Sequence, residues 1–155
     1  MPACLLDVNV WLAAAFPAHP AHQSAQAVLL RATPETPALF CRATQQSFLR
    51  LVSTPVIFDA YRSGPITNRD ALYALASFAA LPQIDLIHEP SGIESLWWRL
   101  AGLPQAAPKR WMDAYLAAFA IHGSLRLISL DRDFQQFLDA GLDLLLLQAD
   151  GGRSG

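Results

Sequence analysis

Apolar positions in this chain fall into short dense runs separated by longer stretches of helical period. "ACLL" (3–6), "PALFC" (37–41), "IDLI" (84–87), "LRLISL" (125–130) and "LDLLLL" (142–147) read as five buried strands. Between them, residues 8–15 form a helical stretch ended by Pro17, and "HPAHQSAQAVLLRA" (19–32) a second, with Pro20 suited to its first turn. Thr44 is placed to cap a third helix, with Phe48, Leu49 and Val52 on one side and Pro55 as its stop. Residues 55–66, carrying Pro55, Gly64 and Pro65, read as an irregular connection. Thr67 caps a helix to about Ala80, with an apolar face of Leu72, Leu75, Ala76 and Ala79. A tryptophan-bearing helix follows at 91–102. Another, at 109–122, carries Met112, Tyr115, Leu116 and Phe119, and a short one is expected at 132–138.

Short apolar strands alternating with amphipathic helices imply a mainly parallel sheet covered on both faces. No repeat or linker divides the 155 residues, so one α/β domain over 1–148 is expected, with a disordered tail at 149–155.

This topology gives the acids a meaning. In open α/β sheets, ligands sit beyond the carboxyl ends of the strands. Asp7 ends the first strand and Asp131 the fourth. Asp133 lies two residues on, and Asp113 falls in the first turns of the helix that feeds the fourth strand. All four can meet at one rim. Carboxylates at close range repel one another unless a cation neutralises them, and Mg²⁺ or Mn²⁺ is the natural partner of such oxygen ligands.

Each acid also has a plainer role open to it. Asp131 can cap the helix after it, Asp133 can favour that helix's dipole, and Asp113 can be a solvated edge residue. Asn9 can cap the following turn, or hold Asp7 and a metal-bound water. The set together favours a metal site.

Composition trims the alternatives. The chain is 53% hydrophobic and 15% charged, against disorder. Mean hydropathy of +0.26 is high for a soluble domain and suggests apolar surface covered by a partner. No apolar run approaches the roughly 20 residues of a membrane helix, and the first residues lack the basic stretch of a secretory signal. Cys4 and Cys41, without metal-ligand spacing, fit core positions in a reducing cytoplasm. A net charge of −2 gives no global basic field, although all but one of the basic residues are Arg, the side chain suited to phosphate.

Taken together, "LLDVNVWLAA", "ATQQSFLRLVSTP", "WMDAYLAAFA" and "LISLDRDF" resemble the PIN-domain ribonucleases, specifically the VapC-type toxins of toxin–antitoxin pairs, over about residues 3–147. The resemblance implies a three-layer α/β/α sandwich and an Mg²⁺- or Mn²⁺-dependent endoribonuclease site. In it, Asp7, Asp113 and Asp131 match the catalytic, metal-binding acids, with Asp133 an additional acid and Asn9 in support. Gln45 departs from the pattern, standing where many members carry Glu; an amide can still ligate a hard cation but brings no charge.

The resemblance also implies tRNA or rRNA as substrate, a VapB-type antitoxin as partner and a homodimer. Arg50, Lys109, Arg110 and Arg132 are the candidate phosphate contacts, and Trp97 and Trp98 can stack on bases or serve the core. Two rivals are weighed. A dehalogenase-like phosphatase needs an acid where Asn9 stands, and a PIN-like domain with weak or no catalysis can bind RNA without cutting it.

Overall fold

The computed structural model describes residues 2–151. The strands are β1 (Cys4–Leu6), β2 (Ala38–Phe40), β3 (Ile84–Leu86), β4 (Arg126–Ser129) and β5 (Asp143–Leu146). They form one sheet in the order β3-β2-β1-β4-β5, and every neighbouring pair is parallel. The helices are α1 (Val8–Ala15), α2 (His22–Arg31), α3 (Arg42–Val52), α4 (Pro55–Ala60), α5 (Asn68–Ala79), α6 (Glu94–Ala101) and α7 (Arg110–His122), with a 3-10 helix over Arg132–Ala140.

The sheet separates two cores. On one face, α1, α2, α3 and α5 pack around Leu6, Trp11, Phe40 and Phe48. On the other, α6, α7 and the 3-10 helix pack around Leu5, Phe119, Leu127 and Phe137. Leu5 and Leu6 are both fully buried because successive strand side chains point to opposite faces and here both faces are covered. Trp11 stacks on Phe40 with ring centroids 3.7 Å apart. The expected three-layer α/β sandwich with a central parallel sheet is the observed one. No helix among the described residues is long and apolar enough to cross a membrane.

Several local expectations are corrected. The third helix starts at Arg42, earlier than expected; Cys41 is its N-cap, and Thr44 sits one turn in, where its Oγ1 accepts from the Cys41 N–H at 3.0 Å. Residues 55–60, expected to be irregular, form α4. Pro55 there opens a helix as its first residue, where the missing N–H costs nothing. Pro20 lies in the turn before α2 and not in its first turn. The buried side of α5 is Ala71, Ala74, Leu75 and Phe78, not Leu72, Ala76 and Ala79. Phe78 turns the helix by packing against Trp11 and Phe48, an aromatic gain that the smaller alanines cannot match.

The expected tail at 149–155 is partly anchored. Asp150 accepts from the Gln23 and Ser24 N–H groups at 2.9 Å, capping α2, whose own N-cap position, Ala21, offers no side-chain oxygen. Residues 152–155 lie outside the described residues.

Candidate metal centre

Parallel strands end at one rim, and the chain delivers its acids there. Asp7 leaves β1 as the N-cap of α1 and is buried. Its Oδ1 accepts from the Val8 N–H at 2.7 Å and its Oδ2 from the Ser129 hydroxyl at 2.8 Å. Ser129, the last residue of β4, is fully buried. Its Oγ also accepts from Asn9 Nδ2 at 3.2 Å and from the Asp131 N–H at 3.0 Å. One proton and two lone pairs are all in use, so the hydroxyl has no freedom left. It locks the ends of β1 and β4 together at the point where Asp7 and Asp131 emerge.

Asp113, in the first turn of α7, meets Asp131 and Asp133. One carboxylate oxygen from each lies within 4.8 Å of the others. Lys109 Nζ sits among them, 2.7 Å from both Asp131 and Asp133 and 3.8 Å from Asp113. The Asp113 side chain is 13% exposed, whereas that of Lys109 is 63% exposed. The arrangement is a rim of acids gathered about one cation that solvent can reach, with carboxylates in excess.

Electrostatics follow this layout. Burial pushes the Asp7 carboxyl above the usual range, against the opposing hydrogen bonds from Ser129 and Val8, and the charge on Asp131 adds to the rise. Burial also raises Asp113; Lys109 opposes this, while Asp131, Asp7 and Asp133 add to it. Burial works upward on Asp131 too, but the Lys109 ammonium and the Asp133 N–H outweigh it and hold that carboxyl low. Asp113 thus feels the charges of Asp7, Asp131 and Asp133, and Asp7 feels that of Asp131, so the buried Asp7 is coupled to the cluster that Asp113, Asp131 and Asp133 form.

The other expected site residues divide. The Asn9 side chain is spent neither on the following turn nor on Asp7; it donates across to Ser129 Oγ and accepts from the Leu130 N–H at 3.1 Å, supporting Asp7 through Ser129. Asp131 fills the structural role weighed for it, its Oδ1 capping the 3-10 helix at the Asp133 N–H, while its Oδ2 accepts from Lys109. Gln45 Oε1 accepts from Arg42 Nη1 on its own helix. Lys109 is engaged by the acids. Arg110 is tied inward, donating Nε–H to the Leu100 carbonyl and an Nη1 hydrogen to Gln136, over the Phe137 ring. Arg50 is exposed on α3, and Arg132 borders a separate cleft beside Leu130 and Leu147. Trp97 is half-buried, with Nε1–H bonded to the Trp111 carbonyl at 2.9 Å, while Trp98 is exposed.

Sequence reasoning missed Ser129. The available signal was a lone hydroxyl inside "LISLD", one polar residue in a buried strand immediately before the acid turn. Such a side chain must find partners when buried, and here the partners are the site.

Carboxylates gathered at the carboxyl edge of a parallel sheet are the arrangement of a family: the PIN domain matches residues 4–138, and the chain belongs to the PIN-domain family. Within it the chain falls among the VapC ribonucleases. Ribonuclease VapC41 of Mycobacterium tuberculosis, in both the CDC 1551 and H37Rv strains, is 44% identical over 144 residues, covering 92% of this chain and 97% of that protein.

Two solved structures share the fold. Mycobacterium tuberculosis VapC20, a Sarcin-Ricin loop cleaving toxin, superposes with a TM-score of 0.61 at 17% identity, covering 90% of this chain and 96% of that one. A chain of VapBC2 from Rickettsia felis, bound to a DNA fragment from its promoter, gives 0.61 at 12% identity, covering 94% and 99%.

Proposed function

We propose that this chain is a Mg²⁺- or Mn²⁺-dependent endoribonuclease that hydrolyses RNA phosphodiester bonds and acts as the toxin of a toxin–antitoxin pair. The observation that carries the reading is the gathering of Asp113, Asp131 and Asp133 around Lys109 Nζ, with Asp7 buried beside them. The donor set fits a hard divalent ion. It is all carboxylate oxygen, already organised about a positive charge, and its buried members carry more negative charge than their surroundings compensate.

Asp7, Asp113 and Asp131 would hold the ion, with Asp133 on the exposed side and Asn9 in support through Ser129. When bound, the ion supplies positive charge to the phosphodiester and acidifies a water. The chain's own work is positional. Ser129 and the Val8 N–H fix both Asp7 oxygens, so that acid need not reorganise when the charge nearby changes. The Asp133 N–H fixes Asp131 Oδ1 and leaves Oδ2 toward the cluster. Lys109, on the solvent side, is free to leave the carboxylates for a substrate phosphate once another cation takes its place.

The relatives' names support the rest. VapC41 is named a ribonuclease, which favours cleavage over RNA binding alone, and the VapC20 structure is that of a Sarcin-Ricin loop cleaving toxin. A VapB-type antitoxin is proposed as partner on the same family grounds, a homodimer as the assembly and the cytoplasm as location. Brief expression followed by sequencing of cellular RNA ends tests the reading. Wild type should slow growth and produce new ends in tRNA or rRNA, and Asp113→Asn should do neither. Growth arrest without new RNA ends, or identical ends with Asp113→Asn, contradicts it.

A further inference from the structure

A sizeable cleft lies beside the acids rather than over them. It has a volume of ≈ 670 Å³ and runs between α3 and α7, lined by Arg42, Ser47, Arg50, Glu89, Met112 and Tyr115 among others. It nonetheless adjoins the metal centre. Met112, in its wall, is the chain neighbour of Asp113, and α3 begins just past the end of β2, at the rim where β1 delivers Asp7.

The charge of the cleft is positive and uncommitted. Among the described residues neither Arg42 nor Arg50 pairs with a carboxylate, and Arg42 meets only the neutral Gln45 amide oxygen. Eight residues of helix place the two arginines about 12 Å apart along one side of α3, a ladder of positive charge rather than a point. The acid of the cleft, Glu89, accepts from the Tyr115 hydroxyl at 2.7 Å. At its α7 wall the cleft continues, through Tyr115, into an aromatic shelf. Trp111 is one helical turn from Tyr115, and Trp97 packs edge-on against both, with centroids 6.5 and 5.3 Å away. Trp97 also anchors the Trp111 backbone through its indole N–H. Trp111 is thereby held in place while remaining 51% exposed; its chain neighbour Met112 is 53% exposed, and Trp98, whose ring lies 6.4 Å from that of Trp97, is 58% exposed. Isolated exposed apolar residues need no explanation, but a contiguous group of this size marks a contact surface.

We propose that this cleft carries the single-stranded RNA flanking the scissile phosphate, with Arg42 and Arg50 on its backbone and Trp111 stacked on a base. Arginines at intervals along a groove, next to a rigid exposed ring, form the combination by which single strands are held without base-specific hydrogen bonds. An apolar protein segment would use the shelf but leave two arginines unpaired. A strand uses both, and the cleft adjoins the edge at which cleavage is proposed. The inference rests on the ribonuclease reading and deepens it.

The test is binding of a labelled, unstructured oligoribonucleotide to the full chain in EDTA, across a salt series. Melting curves and Mn²⁺ titrations show that each variant is folded with its acid site intact. Arg42→Ala/Arg50→Ala should weaken binding about tenfold and lower the slope of log K against log salt by about 1.4, two single-strand phosphate contacts' worth. Trp111→Ala should weaken it at least about fivefold with the slope unchanged. Wild-type affinity and slope in all variants overturn the proposal. So does unchanged RNA binding accompanied by loss of a protein partner, which assigns the cleft to that partner. A chain that binds the strand through these residues yet cuts no RNA leaves the cleft standing and removes the nuclease reading instead.

Discussion

Ser129 donates its hydroxyl proton to Asp7 Oδ2 at 2.8 Å, joining the end of the fourth strand to the acid that ends the first across 122 positions of sequence. The same oxygen takes the Asp131 N–H, so one buried atom sets the spacing of two proposed metal ligands. The site is therefore as rigid as the sheet that carries it.

Ser129→Ala removes three hydrogen bonds and fills nothing. Asp7 Oδ2, Asn9 Nδ2 and the Asp131 N–H all lose a partner at or near the buried rim. The expected cost is about 2–3 kcal/mol of stability, or roughly 5–10 °C in melting temperature for a chain of this size. RNA cleavage should fall more steeply than stability alone explains. Thermal melts and cleavage assays of the folded variant check both.

Lys109 competes with any ion for Asp131 and Asp133. In Lys109→Met, Mn²⁺ should bind about three- to tenfold more tightly, since exposed ion pairs are individually weak and two short ones are released. Oligonucleotide affinity should fall in the same variant. Calorimetry and anisotropy measure the two opposite changes; looser Mn²⁺ binding would show that Lys109 organises the acids rather than occupying their site.

Asp7 lies above its ordinary pKa because it is buried, and this fixes the sign of a pH effect. A carboxyl whose folded pKa exceeds its unfolded value destabilises the fold while charged. That burden lifts as pH falls through the folded pKa toward the unfolded value of about 3.9. Asp7→Asn carries no such charge. Its melting temperature relative to wild type should therefore be most favourable near neutral pH and decline steadily as the buffer is acidified. A pH-independent difference would mean that the Asp7 carboxyl is not raised.

Asp150 shows the reverse sign. The Gln23 N–H, with the Ser24 N–H and hydroxyl, holds its carboxyl below the ordinary range despite an opposing desolvation effect, so its contribution exists above the unfolded pKa and disappears as pH falls through the lower folded one. Asp150→Ala should lower the melting temperature at neutral pH and leave it unchanged in strong acid. Melts at the two pH values check this. Removal of residues 149–155 should reproduce the effect.

Much of the architecture was legible because both of its signals are local. Five buried runs, interrupted by helical periods, fix the strands, and an acid after β1 and after β4 falls at the carboxyl edge by the rule for parallel sheets. What escaped depends on distant neighbours. The face of α5 is not legible locally, because Leu72 looks more apolar than Ala71, whereas the fold turns the helix to bring Phe78 against Trp11. Pro55 reads as a stop, because the sequence does not say whether a proline ends one helix or opens the next, as it does here. Lys109 was expected on phosphate; only the meeting of α7 with the 3-10 helix shows it lodged among carboxylates. Asp150 looked like tail until α2 supplied open N–H groups for it.

The central claim, that Asp7 and its partners form a metal site that cuts RNA, is tested most directly with the purified chain and a structured RNA in the presence of Mn²⁺. The account predicts discrete cleavage that EDTA stops and Mn²⁺ restores, and none by Asp7→Asn, whose circular dichroism and melting remain those of a folded protein. Equal cleavage by Asp7→Asn, or cleavage indifferent to EDTA, would contradict it.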